Sequence, residues 1–235
     1  MLIRLDKWLS EKTTLTRSEA KDALKKGKVL VNGEALKDPS KKLNTETDEV
    51  VFDGNKLEYE EHVYFVLNKP ADYVTSTSDA DGINVMSLLK GEVIKNLFPV
   101  GRLDKDTEGL LLITDDGELS HRLLSPKKHV KKTYYVECLS NISDTSLEEL
   151  KNGVDIGDDT PTNKAEVSRV SDNVINLTIT EGRYHQVKRM LEAVGNKVTY
   201  LKRLSFGNLS LDELDIKPGE YKKLTEDEID NLKRS

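Results

Sequence analysis

Carboxylates crowd the stretch GRLDKDTEGLLLITDDGE, residues 101–118, among them Asp104, Asp106, Glu108, Asp115 and Asp116. Oxygen donors at that density could cage a hard cation, and the spacing nearly fits the calcium loop D-x-[DN]-x-[DN]-G with an acid at the twelfth place. Three features argue against it. Such a loop lies between two helices, whereas Phe98-Pro99-Val100-Gly101 breaks a helix here. Its second half would be Leu110, Leu111, Leu112 and Ile113, which offer no side-chain oxygen. Its last ligand would be Asp115, too short for the bidentate reach of Glu. The stretch reads instead as an extended approach, an acidic loop and a buried strand. In an extended Arg102-Leu103-Asp104, alternate side chains share a face. Leu103 then enters the core while Arg102 and Asp104 project together toward a cleft. A cation beside a carboxylate favours its ionised form, which suits an Asp serving as nucleophile or base. Taken alone, the pair reads first as a surface ion pair. Asp106 and Glu108 are assigned to the loop, and Asp115-Asp116-Gly117 to a turn that caps the next helix.

The elements that must hold these residues follow from periodicity. In residues 1–58, Leu5, Trp8 and Leu9 fall at helical spacing. Thr16-Arg17-Ser18-Glu19 is a capping box that opens a second helix, and Gly27 closes it. KVLVNGEAL alternates as a strand into an Asn-Gly turn, and EVVF at 49–52 runs into Asp53-Gly54-Asn55. From residue 59 strands predominate. HVYFVLNKP (62–70) alternates and stops at Pro, GLLLIT (109–114) is an apolar run, and TYYVEC (133–138) and VINLTI (174–179) follow. Helices are expected near 117–124, over 143–151, and over 184–194 with Val187, Met190, Leu191 and Val194 as the buried stripe. Thr225-Glu226-Asp227-Glu228 caps a last short helix. Helices and strands do not alternate regularly, so the fold class is α+β with a mixed, mostly antiparallel sheet.

The 235 residues, 33% charged and 36% hydrophobic, suit a soluble globule. No apolar run approaches bilayer length, and the N-terminus meets charge too early for a signal peptide. Cys138 stands alone and the four His lack metal-ligand spacing, so neither a disulfide nor a metal is expected, and a reducing cytoplasm fits. The net charge of −6 argues against a nucleic-acid partner, but its distribution argues for one. Residues 1–42 hold eleven Lys/Arg against six Asp/Glu, 121–135 hold five against none, and 181–203 six against two. Local field rather than net charge governs contact with phosphates.

RLDKWL (4–9), TRSEA (16–20) and GKVLVNG (27–33) resemble the S4 RNA-binding domain. That resemblance implies phosphate and shape recognition by residues 1–58, with Arg4, Arg17, Lys21 and Lys25 as contacts. Residues 59–235 resemble the pseudouridine synthases of the RsuA-like branch. The carrying segments, in order, are Asn68-Lys69-Pro70, GRLDKDTEGLLLITDDG, Lys132-Thr133-Tyr134-Tyr135-Val136 and EGRYHQVKRM (181–190). Asp72 departs from the pattern, standing where Gly is common. LLSPKKHVKKTYY favours the branch acting on small-subunit RNA.

The resemblance implies a catalytic domain with a central cleft that isomerises a uridine of small-subunit (16S) ribosomal RNA to pseudouridine. The uracil leaves C1′ through N1 and rejoins through C5, so no cofactor is required. Asp104 is the implied catalytic carboxylate, attacking C1′ or taking a sugar proton. Tyr134 is implied to hold the extruded uracil, Arg102 to fill its vacated space, and Lys188 to pair with Asp104. Arg183, His185 and Gln186 are expected to shape the cleft or touch phosphate, with His185 a structural histidine rather than an acid–base catalyst. The competing readings are a large-subunit (23S) enzyme and a non-catalytic S4-type assembly protein. A monomer is the default.

Overall fold

The computed structural model describes residues 2–57, 61–78, 80, 82–90 and 96–235. They form two compact units, one centred on Met1–His62 and the other on Val63–Lys90 with Phe98–Ser235. The expected boundary after residue 58 falls beside residues 58–60, outside the described set. Among the described residues no helix is long and apolar enough to cross a membrane.

The first unit contains β1 (Leu2–Arg4), α1 (Leu5–Lys12), α2 (Arg17–Lys25), β2 (Val29–Val31), β3 (Glu34–Ala35), β4 (Lys42–Asn44), β5 (Val50–Phe52) and β6 (Asn55–Leu57). Strand β1 pairs with β4, and the other four run in the order β3-β2-β5-β6. The helices form where the sequence caps them. Thr16 and Glu19 close a reciprocal capping box on α2, and Gly27 leaves it at φ +71°. Asn32-Gly33 and Asp53-Gly54 both take positive φ, the geometry of tight two-residue hairpins. Leu5, Trp8, Leu9, Ala20 and Leu24 meet β2 and β5 in one apolar cluster. Asp6 is buried beneath them (0% exposed). It accepts from Arg4 Nε and Nη2 at 3.1 and 3.0 Å, and Arg17 Nε lies 3.5 Å away. The Arg4 hydrogen bonds hold the Asp6 carboxyl below the usual carboxylate range despite burial. Arg4 and Arg17, expected as RNA contacts, therefore also engage Asp6, Arg17 tying α2 to α1 and Arg4 tying β1 to it, while Lys21 and Lys25 are exposed on α2.

The second unit contains β7 (Tyr64–Lys69), β8 (Phe98–Pro99), β9 (Glu108–Thr114), α3 (Gly117–Leu124), β10 (Lys132–Cys138), α4 (Asp144–Asn152), β11 (Glu166–Ser171), β12 (Val174–Ile179), α5 (Gln186–Ala193), β13 (Val198–Phe206), β14 (Leu209–Ser210), α6 (Leu211–Leu214), β15 (Tyr221–Lys223) and α7 (Glu226–Lys233). Its main sheet runs β11-β12-β10-β13-β9-β7-β15. The expected α+β class and mixed sheet are present: β9 and β13 pair in parallel, and the other described pairs in this sheet are antiparallel. Two strands differ in burial from a half-solvated pattern. Every residue of β7 and nearly all of β9 are buried, because helices and loops cover both faces of the sheet centre. One of these covers joins Tyr64, Val66, Leu110 and Leu112 to Leu119, Leu123, Leu214 and Leu232. Helix α5 starts two residues later than the periodicity implies. His185 sits in the left-handed region (φ 47°, ψ 34°), which a right-handed helix cannot include.

The β9–β13 junction brings the Asp104 loop against the strand that carries Arg203. Glu108 and Gly109 pair with Lys202 and Arg203. A Cβ on Gly109 would lie 2.2 Å from the Arg203 carbonyl oxygen, and its φ is +104°. Only glycine permits the two strands to close at this point.

Candidate active site

The loop carrying Asp104 is fastened from behind by three neighbours. Thr75 Oγ1 donates to Leu103 O at 2.7 Å and accepts from Leu103 N at 3.2 Å, which seats Leu103 in the core and turns Asp104 outward. The Asp72 amide donates to Lys105 O at 2.9 Å from a left-handed residue (φ +70°). That conformation explains a preference for Gly there, and Asp is among the side chains that tolerate it. Lys69, at the end of β7, is fully buried. Its ammonium donates to the carbonyls of Pro70, Lys105 and Thr107 at 3.1, 3.1 and 2.8 Å. Burial lowers it from 10.5 to about 8, against the pull of Asp106, Glu108 and Asp104.

Asp104 opens onto a cleft of about 910 Å³ lined by β10, β13, the 98–107 approach and the 179–188 turn. Its cationic partner is Lys188 on α5, with Nζ 3.1 Å from Oδ2. Arg102 also lines the cleft and is exposed, but among the described ion pairs it has none with Asp104; its place in the expected pair is taken by Lys188. Asp106, assigned to the loop alone, belongs to the same cluster and accepts from Lys188 Nζ at 2.7 and 2.9 Å. Burial pulls the Lys188 ammonium down, but the hydrogen bonds and charges of Asp106 and Asp104 outweigh it and leave it raised. His185 also lines the cleft. Its left-handed backbone sets Nε2 3.5 Å from Asp104 Oδ1, and its ring stacks on Tyr184 at 3.8 Å and 21°. Tyr184 is 70% exposed at the cleft. Tyr184 carried no expected site role and Asp106 only a loop one, although both lie inside the motifs that hold the site.

Tyr134 lies on the face of β10 that is buried at every second position and lines the cleft. Lys132 shares that face, and Arg203 stands directly opposite Tyr134 on β13. Arg183 and Gln186, expected at the substrate, line the cleft and are also held within the protein. The Arg183 guanidinium contacts Glu181, the Thr160 and Pro161 carbonyls and Asp158. Gln186 is buried, accepts from Arg183 N at 2.9 Å and donates to Glu181 at 2.9 Å. They lock the 181–186 turn and tie it to the 158–161 loop, which helps to position His185 and Lys188. Among the described residues no group of three or more His, Cys, Asp or Glu could hold a metal. The residues that would have supplied the second half of a calcium loop form the centre of the sheet.

The family model described as RNA pseudouridylate synthase matches residues 63–193, and that of the S4 domain matches residues 3–50. An S4 unit followed by such a cleft-bearing sheet defines an RNA-modifying enzyme. The relatives sharpen this. The chain is 47% identical to the uncharacterized RNA pseudouridine synthase YtzG of Bacillus subtilis, over 97% of each chain. It is 43% identical to the ribosomal small subunit pseudouridine synthase A of Escherichia coli, over 97% of this chain and 98% of that protein. A solved pseudouridylate synthase structure superposes with a TM-score of 0.69 at 42% identity, covering 98% of this chain and 99% of the other. The chain belongs to the RNA pseudouridylate synthase family and is an RNA pseudouridine synthase with an N-terminal S4 domain. The reading as a non-catalytic assembly protein gives way accordingly.

Proposed function

We propose that this enzyme converts a specific uridine of small-subunit ribosomal RNA to pseudouridine, with Asp104 as the carboxylate that acts on the sugar. The relatives named as small-subunit enzymes, similar along almost the whole chain, support the substrate class. The observation that carries the catalytic assignment is the Asp104–Lys188 pair at 3.1 Å on the wall of the cleft. The N1–C1′ bond breaks, the uracil turns over, and C5 bonds to C1′. A proton leaves C5 and N1 gains one, so the reaction balances without a co-reactant. Whether Asp104 attacks C1′ or removes a sugar proton, it acts as an anion held by Lys188 in a fixed loop. The uracil, flipped from its stack at a cost of a few kcal/mol, lies on Tyr134, and Arg102 enters the space it leaves. Residues 1–58 anchor the RNA through Arg4, Arg17, Lys21 and Lys25, and residues 59–235 carry the reaction in a monomer.

The test is Asp104→Asn, which preserves shape and leaves Lys188 paired with Asp106. Pseudouridine formation on small-subunit RNA or its assembly intermediates is expected to vanish while RNA affinity stays within a few-fold. Turnover at the wild-type rate would remove Asp104 from this role. Equal modification of large-subunit RNA by the wild type would remove the substrate assignment.

A further inference from the structure

Two cations at the floor of the cleft have no task in the isomerisation carried by Asp104, Lys188 and Tyr134. Arg203 is 2% exposed. Its Nε donates to Leu110 O at 2.7 Å, and its guanidinium carbon lies 5.1 Å from the centroid of Phe206. Its Nη2 has no hydrogen-bond partner among the described residues, and no ion pair with a carboxylate is found for it there. Lys132, 7% exposed, donates to Val130 O at 2.8 Å and lies 5.4 Å from the same ring. Burial first, and then the neighbouring Arg203, lowers its ammonium to about 8, with Glu181 opposing. A buried cation with an unused donor is costly unless something meets it. Here the guanidinium plane is already fixed through Nε, and the unused nitrogen belongs to a residue lining the cleft.

The sheet register indicates what meets it. Arg203 and Tyr134 are directly opposite on antiparallel strands, so their side chains stand side by side on one face. A base lying on the Tyr134 ring therefore lies on the face of the sheet that carries Arg203. A guanidinium only donates, and a uracil edge offers two carbonyl acceptors. As the N1–C1′ bond breaks, its electron pair stays with the uracil and the charge spreads from N1 onto both carbonyl oxygens. A preorganised donor at such an oxygen gains strength as the charge develops. A backbone phosphate fits this place less well, because it would have to reach the floor of the cleft beside the aromatic face.

We propose that Arg203 Nη2 donates a hydrogen bond to one carbonyl of the uracil held on Tyr134 and stabilises the charge that oxygen gains as the base departs, with Lys132 reinforcing the field. This rests on the proposed placement of the uracil against Tyr134.

The test is a cycle between protein and substrate. Wild type and Arg203→Gln are compared in single turnover on RNA whose target is uridine, 2-thiouridine or 4-thiouridine, sulfur being the weaker acceptor. One of the two thio substrates should slow the wild type about tenfold or more. Arg203→Gln should slow the uridine substrate about 100-fold, the scale of losing one oxyanion donor. That variant should lose no more than about twofold further on the sensitive thio substrate, because coupled changes do not add. The salt dependence of RNA binding should not change. A wild type indifferent to both thio substitutions overturns the proposal, whether or not the variant folds. So do effects that multiply independently at both positions. A salt slope reduced by about one would mark a phosphate as the occupant and overturn it too. Tyr134→Leu on the same RNAs separates the two readings. A wild-type rate in that variant overturns the placement of the uracil. An inactive Tyr134→Leu alongside uncoupled Arg203 effects overturns the Arg203 contact alone.

Discussion

Lys69 offers a perturbation whose effects on rate and on stability have different pH dependences. It is 0% exposed, and its three ammonium protons are matched by the carbonyls of Pro70, Lys105 and Thr107. Lys69→Met keeps the length of the side chain and leaves those carbonyls, two of them in the loop that bears Asp104, without their donor. Misplacing a catalytic group by about 1 Å can cost about 100-fold in rate. We therefore expect kcat to fall about 100-fold with RNA affinity unchanged, since the ammonium lies behind the loop. Stability follows another course. Burial lowers the Lys69 pKa from 10.5 to about 8, so between those values the unfolded chain binds a proton that the folded chain does not. Stability attributable to this group then rises with pH across the window, and its cost is fully present below about 8. The shift corresponds to at most about 3 kcal/mol, an upper limit because the three carbonyls favour the charged form. Lys69→Met lacks this slope. Urea unfolding at pH 7.5 and 10.5 should show the variant losing up to about 3 kcal/mol relative to the wild type between the two pH values. A wild-type kcat in Lys69→Met, or a stability gap identical at both pH values, would refute the reasoning.

Three further outcomes are expected. Gly109→Ala places a methyl 2.2 Å from the Arg203 carbonyl at φ +104° and should destabilise by about 3 kcal/mol or more in urea unfolding; a change under about 0.5 kcal/mol would contradict the close approach. Tyr184→Ala removes an exposed ring stacked on His185 and should raise KM for RNA about tenfold with kcat nearly kept, since stacking a base is worth about 1–3 kcal/mol; an unchanged KM would show that no flanking base uses it. Asp106→Asn leaves Lys188 to Asp104 alone and should lower kcat by less than about tenfold, and loss of all turnover would place Asp106 in the chemistry itself.

The cluster around Lys188 explains why two acids stand so near each other. On the proposed role of Asp104, a lysine paired with it alone could be drawn fully onto that carboxylate and shield it from the sugar. Asp106 takes the closer contact, 2.7 Å against 3.1 Å, from a more exposed side chain. Lys188 is thus anchored from the solvent side and offers Asp104 a counter-charge without enclosing it. The 181–186 turn, locked by Arg183 and Gln186, fixes where α5 begins and hence where Lys188 points.

The sequence carried what is local. The Thr16–Glu19 box, the Asn32-Gly33 turn, the 109–114 strand and the Asp116 cap, whose side chain accepts from Leu119 N at 2.9 Å, each depend on residues a few positions apart. Asp104, Tyr134 and Lys188 could be singled out because each sits in a short motif, and they line one cleft in the structure. What could not be read depends on contacts between distant strands. Lys69 looks like an ordinary charge ending a strand until Thr107, 38 residues away, accepts from it. Arg203 sits in YLKRLSF beside Lys202 and resembles any basic position on an alternating strand. It becomes a buried guanidinium only because β13 closes in parallel on β9 and Leu110, 93 residues away, accepts from it. Arg183 was legible as a cleft residue from its motif, but the partners that hold it were not. The acceptors that engage it come from the 158–161 loop, whose sequence DDTP shows acid and turn chemistry but not the arginine it serves. Residue type indicates which charges a site has available. Which of them face the substrate is decided by the acceptors that long-range pairing brings to the others.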